Sequence, residues 1–113
     1  MALEQGIGSI GQIPIGEGRT FEVAGQRVAV FHTREGGVYA IEANCPHRNG
    51  PLADGLTSGT TVLCPLHERA FDLLTGAGIG HEDCVMSYPV RISGDGNLFI
   101  TVGQPCRNSL DVM

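Results

Sequence analysis

Apolar side chains recur along this chain at alternate positions in short runs, each closed by glycine, and that rhythm predicts β-strands rather than helices. Residues 20–23 form a first short strand, Ala24-Gly25 a tight connection, and residues 26–33 a β-rich run carrying Val28, Val30, Phe31 and Thr33. The turn Arg34-Glu35-Gly36-Gly37 leads into a third strand at 38–42, and the three make an antiparallel meander. Residues 60–63 predict a strand that runs directly into Cys64, and 70–72 a further short one. A last hairpin covers 87–92 and 97–102, with Val90 and Ile92 facing Leu98 and Ile100. The first ten residues, with Gly6 and Gly8, show no sustained period and read as a loose lead-in; residues from about 104 onward read as a frayed tail.

Composition fits that picture and narrows the function. With 113 residues the chain is expected to form one domain, 1–113, large enough for a modest core. Hydrophobic residues make up 42% and charged residues 17%, a globular balance, while 17 glycines and six prolines favour short strands joined by turns. The net charge of −5 argues against a nucleic-acid partner, which needs clustered Lys and Arg. No apolar run approaches a membrane span, and the N-terminal residues lack the basic and apolar regions of a secretory signal, so the expected compartment is the cytoplasm.

The candidate chemistry lies in two short stretches, Cys45-Pro46-His47 and Cys64-Pro65-Leu66-His67, separated by residues 48–63. Thiolate and imidazole are donors for iron, copper or zinc and poor ones for magnesium or calcium. Given four Cys and four His in the chain, such an arrangement arises by chance at roughly 10⁻⁴. Two Cys and two His suit a structural zinc site chemically. Zinc fingers, however, usually place the Cys together and the His together, often with the His on a helix, whereas here each loop brings one of each. A binuclear cluster with unlike ends, two thiolates on one iron and two imidazoles on the other, requires that content.

Cys45-Pro46-His47-Arg48 and Cys64-Pro65-Leu66-His67, followed by Phe71-Asp72 and Thr75-Gly76, resemble the Rieske-type [2Fe–2S] signature over most of the chain. The resemblance implies an all-β, Rieske-like antiparallel β-sandwich with a small inserted cluster-binding subdomain at about 43–82. It also implies a cluster whose buried iron is held by Cys45 and Cys64 and whose outer iron is held by His47 and His67. Respiratory Rieske proteins add a disulfide between the loops and hydroxyls near the cluster; this chain has Gly50 and Leu66, and Arg69 and Phe71, at those places. Fewer hydrogen-bond donors imply a low midpoint potential. A saturated cluster offers no substrate site, so the implied role is single-electron transfer to another polypeptide.

Within the family, the stretch Gly50-Pro51-Leu52-Ala53-Asp54-Gly55 and the run from Asp83 to Arg91 most resemble the small subunit of assimilatory NAD(P)H-dependent nitrite reductase. That resemblance implies a large flavin- and sirohaem-bearing partner subunit. The alternative is the ferredoxin of a ring-hydroxylating dioxygenase system, working between a flavin reductase and a terminal oxygenase. A third reading is a non-redox docking or zinc-binding module. Several other residues carry blander expectations. His32 and His81 read as structural or exposed histidines; Cys84 and Cys106 could make a disulfide, but a reducing cytosol favours free thiols. Asp54 and Asp72 read as residues that fix loop backbones, and Arg48 and Arg69 as solvated or docking residues beside the loops.

Overall fold

The computed structural model describes residues 3–44, 51–65, 69–80 and 84–102. Its strands, in chain order, are β1 (Leu3–Ser9), β2 (Glu17–Val23), β3 (Gln26–His32), β4 (Val38–Glu42), β5 (Leu56–Ser58) and β6 (Thr61–Leu63), then β7 (Ala70–Asp72), β8 (Gly78–Ile79), β9 (Ser87–Tyr88), β10 (Val90–Ile92) and β11 (Asn97–Val102). They form three antiparallel sheets, ordered β1-β11-β10, β2-β3-β4-β9 and β5-β6-β7-β8. The only helical elements among the described residues are two single 3-10 turns, Ile10–Gln12 and Leu52–Asp54. The all-β fold class read from the sequence stands.

Strand β3 explains how the layers stack. Val28, Ala29, Val30 and Phe31 are all buried, although successive side chains of a strand point to opposite faces. Val28 and Val30 pack with Val23, Ala40, Tyr88, Leu98 and Ile100 in one core; Ala29 and Phe31 pack with Ile41, Leu52, Val62, Phe71 and Val85 in a second. The β2-β3-β4-β9 sheet is therefore covered on both faces, and its central strand reads as a continuous apolar run because neither face meets water. Alternation survives where one face only is covered: in β11, Leu98, Ile100 and Val102 are buried and the residues between them are not.

The hairpin expectations hold to the residue at β4, β7 and β11, and Val90 pairs with Ile100 and Ile92 with Leu98. Ala24 (φ 52°) and Gly25 (φ 82°) both adopt the left-handed conformation that a two-residue β2–β3 turn requires. Three expectations are corrected. The loose lead-in is strand β1, paired with β11 from Leu3↔Val102 to Ser9↔Asn97 with a register break between Gly6 and Gly8. Its glycines hide the period: Gly6 lies against the Phe99 ring, where a Cβ would come within 3.1 Å of it. The single strand at 87–92 is two, because Ser87–Tyr88 pairs with β4 while Val90–Ile92 pairs with β11 in another sheet, with Pro89 between them. Finally, Leu56–Ser58, where the pattern predicts no strand, forms β5, too short to show a period of its own. The expected tail lies outside the described residues.

Candidate metal centre

Both candidate loops grow out of the same core. Ala43, two residues before Cys45, packs in one hydrophobic cluster with Leu52, Val62, Cys64 and Phe71. Asn44 bridges to Pro51, and the Leu52 amide donates to the Ala43 carbonyl at 2.9 Å, so both ends of the segment carrying Cys45 and His47 are pinned. The second loop is closed likewise. Leu63 pairs with Ala70, and the Cys64 amide donates to the Arg69 carbonyl at 2.8 Å, which fixes the entry and exit of the segment carrying His67. Cys45, His47 and His67 themselves lie outside the described residues, as do Arg48 and His81.

Cys64 is the one expected ligand whose placement is described. It sits directly after β6, 1% exposed, as a free thiol. A buried thiolate needs a cation to offset its desolvation, and a soft metal supplies one. The feet of both loops meet in the apolar cluster around it, which suits a cluster whose thiolate end is sheltered from water. The donor set therefore fits an iron–sulfur group. Among the described residues no three His, Cys, Asp or Glu gather into another metal site.

Neighbouring residues divide into those that hold the loops and those that stand apart. Asp72 does fix a turn, as expected: its Oδ1 accepts from the Leu74 amide at 2.7 Å, and its carbonyl accepts from the Gly76 amide at 2.7 Å. Gly76 then lets this turn touch the segment after Cys84, the Val85 amide donating to the Gly76 carbonyl at 2.8 Å. His32 is structural: its Nδ1–H donates to the Ile13 carbonyl at 2.9 Å. The free-thiol expectation fails at Cys84, which is disulfide-bonded; a compartment-based argument carries no information on which thiols the fold brings together. Its bond partner lies outside the described residues, as does Cys106.

Three layers of short antiparallel strands, with two pinned Cys/His loops rising from a shared core, define a small iron–sulfur protein of the electron-carrier class. A family model for the Rieske [2Fe-2S] domain matches residues 5–89. The chain belongs to the Rieske [2Fe–2S] family, its cofactor is a Rieske-type cluster, and electron transfer is its activity. The ferredoxin component of the naphthalene 1,2-dioxygenase system of Pseudomonas aeruginosa is 33% identical over 85 residues, covering 74% of this chain and 81% of that protein. Among solved structures, a Mycobacterium tuberculosis protein described as an NADH-dependent nitrite reductase small subunit superposes with a TM-score of 0.85 at 20% identity, covering 92% of this chain and 98% of its own. The Escherichia coli protein NirD superposes at 0.81 with 25% identity, over 92% of this chain and all of NirD (100%).

Proposed function

We propose that Cys45 and Cys64 hold the inner iron, that His47 and His67 hold the outer one, and that the chain delivers electrons as the small subunit of an NAD(P)H-dependent nitrite reductase. The observation that carries the ligand set is the buried, free Cys64 thiol at the foot of a closed loop, in the same apolar cluster as Ala43 at the foot of the other. When bound, such a cluster takes up and gives back one electron without opening a coordination site. The chain's own residues do the rest. Leu52, Val62 and Phe71 keep water from the Cys64 side, while the Cys64–Arg69 and Leu52–Ala43 hydrogen bonds keep both loops at fixed spacing before and after transfer. The chain acts as a single domain, 1–113, with a cluster-binding subdomain at about 43–82, and works in the cytoplasm.

Support for the nitrite reductase reading comes from the motif around Pro51–Gly55 and from the end-to-end superposition on NirD. The dioxygenase-ferredoxin reading has its own observation in the 33% identity to the naphthalene dioxygenase ferredoxin. Both readings share the electron-carrying step and differ in the acceptor. The first test concerns the ligands. Cys64→Ser and His67→Ala are expected to purify without the red-brown colour and the low-average-g EPR signal, and His32→Ala to keep both. Colour loss in His32→Ala, or a colourless zinc-containing wild type, would overturn the assignment. The second test concerns the acceptor: reduced holoprotein is offered to a sirohaem nitrite reductase large subunit and to a naphthalene dioxygenase oxygenase. Turnover with the oxygenase alone decides for the second reading.

A further inference from the structure

The register of the cluster-side sheet places four residues in one cross-strand row. Leu56 pairs with Leu63, Leu63 with Ala70, and Ala70 with Ile79. Directly opposed residues of antiparallel strands share a face. This is the outer face, since the neighbouring row contains the fully buried Val62 and Phe71, which point into the core. Leu56 is 74% exposed, Ile79 48% and Leu63 36%, so an apolar stripe runs across the whole sheet in open view. Its position is selective. The next outward row, Ser58, Thr61 and Asp72, is polar, and the apolar row is the one that abuts Cys64 and Arg69 at the two ends of the second ligand loop. At the β5 end, Leu56 and Leu63 line a groove of about 260 Å³ with Asp54, Gly55, Cys64 and Pro65. A second groove continues from Asp54, Gly55 and Leu56 to Glu17 and Arg19. Arg19 pairs with Glu17 at 3.0 Å, and among the described residues lining the two grooves Asp54 is the remaining charge.

We propose that this outer face is the docking surface for the redox partner, and that the partner brings an apolar patch bordered by a Lys or Arg that meets Asp54. The inference rests on the electron-carrier reading and adds where the other protein sits. Contiguous exposed apolar side chains rimmed by polar ones are a mark of interaction surfaces. A partner seated on the row lies beside Cys64 and Arg69, the two ends of the second ligand loop, where a short path for the electron is needed. Charge selects the kind of occupant. A second copy of this chain would bring Asp54 and a net charge of −5 against their like, whereas a basic-rimmed partner complements both.

The test uses the double variant Leu56→Thr/Ile79→Thr, which removes the two most exposed members, puts β-branched threonine, suited to a strand, at both positions and leaves Leu63 and Cys64 untouched. A second variant, Asp54→Lys, reverses the rim charge. Electron transfer is measured with the flavin reductase of a naphthalene dioxygenase system and with a sirohaem nitrite reductase large subunit. The double variant is expected to keep the wild-type EPR signal while the KM for the carrier rises about fivefold or more at unchanged kcat. Asp54→Lys is expected to raise KM at low salt and to match wild type at about 0.5 M NaCl. Unchanged KM in both variants, with wild type active, overturns the docking surface and leaves the carrier reading intact. A wild type that exchanges electrons with neither probe overturns the partner reading and the docking proposal with it. A wild-type dimer in sedimentation that Leu56→Thr/Ile79→Thr dissociates assigns the row to a second copy instead.

Discussion

Tyr88 lies 5% exposed in the core between the β1-β11-β10 and β2-β3-β4-β9 sheets, with its hydroxyl donating to Gln26 Oε1 at 3.0 Å. Burial, and then the Glu42 carboxylate, push its phenol up from 10.0 to about 12. The sign follows from linkage. The folded state holds this proton more tightly than the unfolded chain, so the stabilisation is complete below pH 10 and is lost as pH rises towards 12. That rise corresponds to at most about 3 kcal/mol. In an absorbance titration Tyr88 should resist ionisation until near pH 12, while stability to denaturant falls over the same window. Ionisation of Tyr88 near pH 10 would contradict the burial argument. At this scale the sequence singled out Cys64 as a candidate ligand and set His32 aside as structural or exposed, because ligand spacing and the absence of donor neighbours are local facts; the structure buries the first and bonds the second to the Ile13 carbonyl. It offered a disulfide at Cys84 only as the lesser alternative to a free thiol, and it was silent on the Tyr88–Gln26 bond, which joins residues far apart in the chain.

Gly76 shows how a turn residue can decide the fate of a whole element. Its φ is +81°, and a Cβ there would stand 1.9 Å from the Val85 carbonyl oxygen, so the turn after β7 touches the segment leading into β9 backbone to backbone. That contact joins the loop-bearing sheet to the central sheet. Gly76→Ala combines a left-handed strain with a clash that only backbone movement relieves, and it is expected to destabilise by on the order of 3 kcal/mol. A thermal melt reads the loss, and a variant that melts with wild type would show that the two segments are free to separate. Gly55 plays a matching part, with a Cβ position 2.1 Å from the Leu63 carbonyl oxygen. Glycine as turn former and glycine as point of contact look alike in a sequence. The same limit hid β1 and β5. Hairpins such as β10–β11 were legible to the register because each strand alternates and its partner is next in the chain. Strand β1 finds its partner at the other end of the chain, and its glycines show no period that would announce the pairing.

For the whole molecule, charge and the lining of the site point the same way. An electron added to a chain that already carries a net charge of −5 meets unfavourable potential, although salt screens the contribution of distant groups. Nearer the site, Phe71 is fully buried in the cluster that contains Cys64, so the side chain at that place brings a ring and no hydroxyl to the thiolate end. Hydrogen-bond donors near the sulfurs stabilise the extra negative charge of the reduced state, and their loss stabilises it less. The midpoint potential is accordingly expected at the low end of the Rieske range, nearer roughly −150 mV than +300 mV. Two measurements separate the causes. Phe71→Tyr should raise the midpoint if the missing hydroxyl is the larger influence, and raising the ionic strength should raise it if surface charge is. A wild-type midpoint well above zero would refute both, because neither a charge of −5 nor a site lined by Phe71 favours the reduced form.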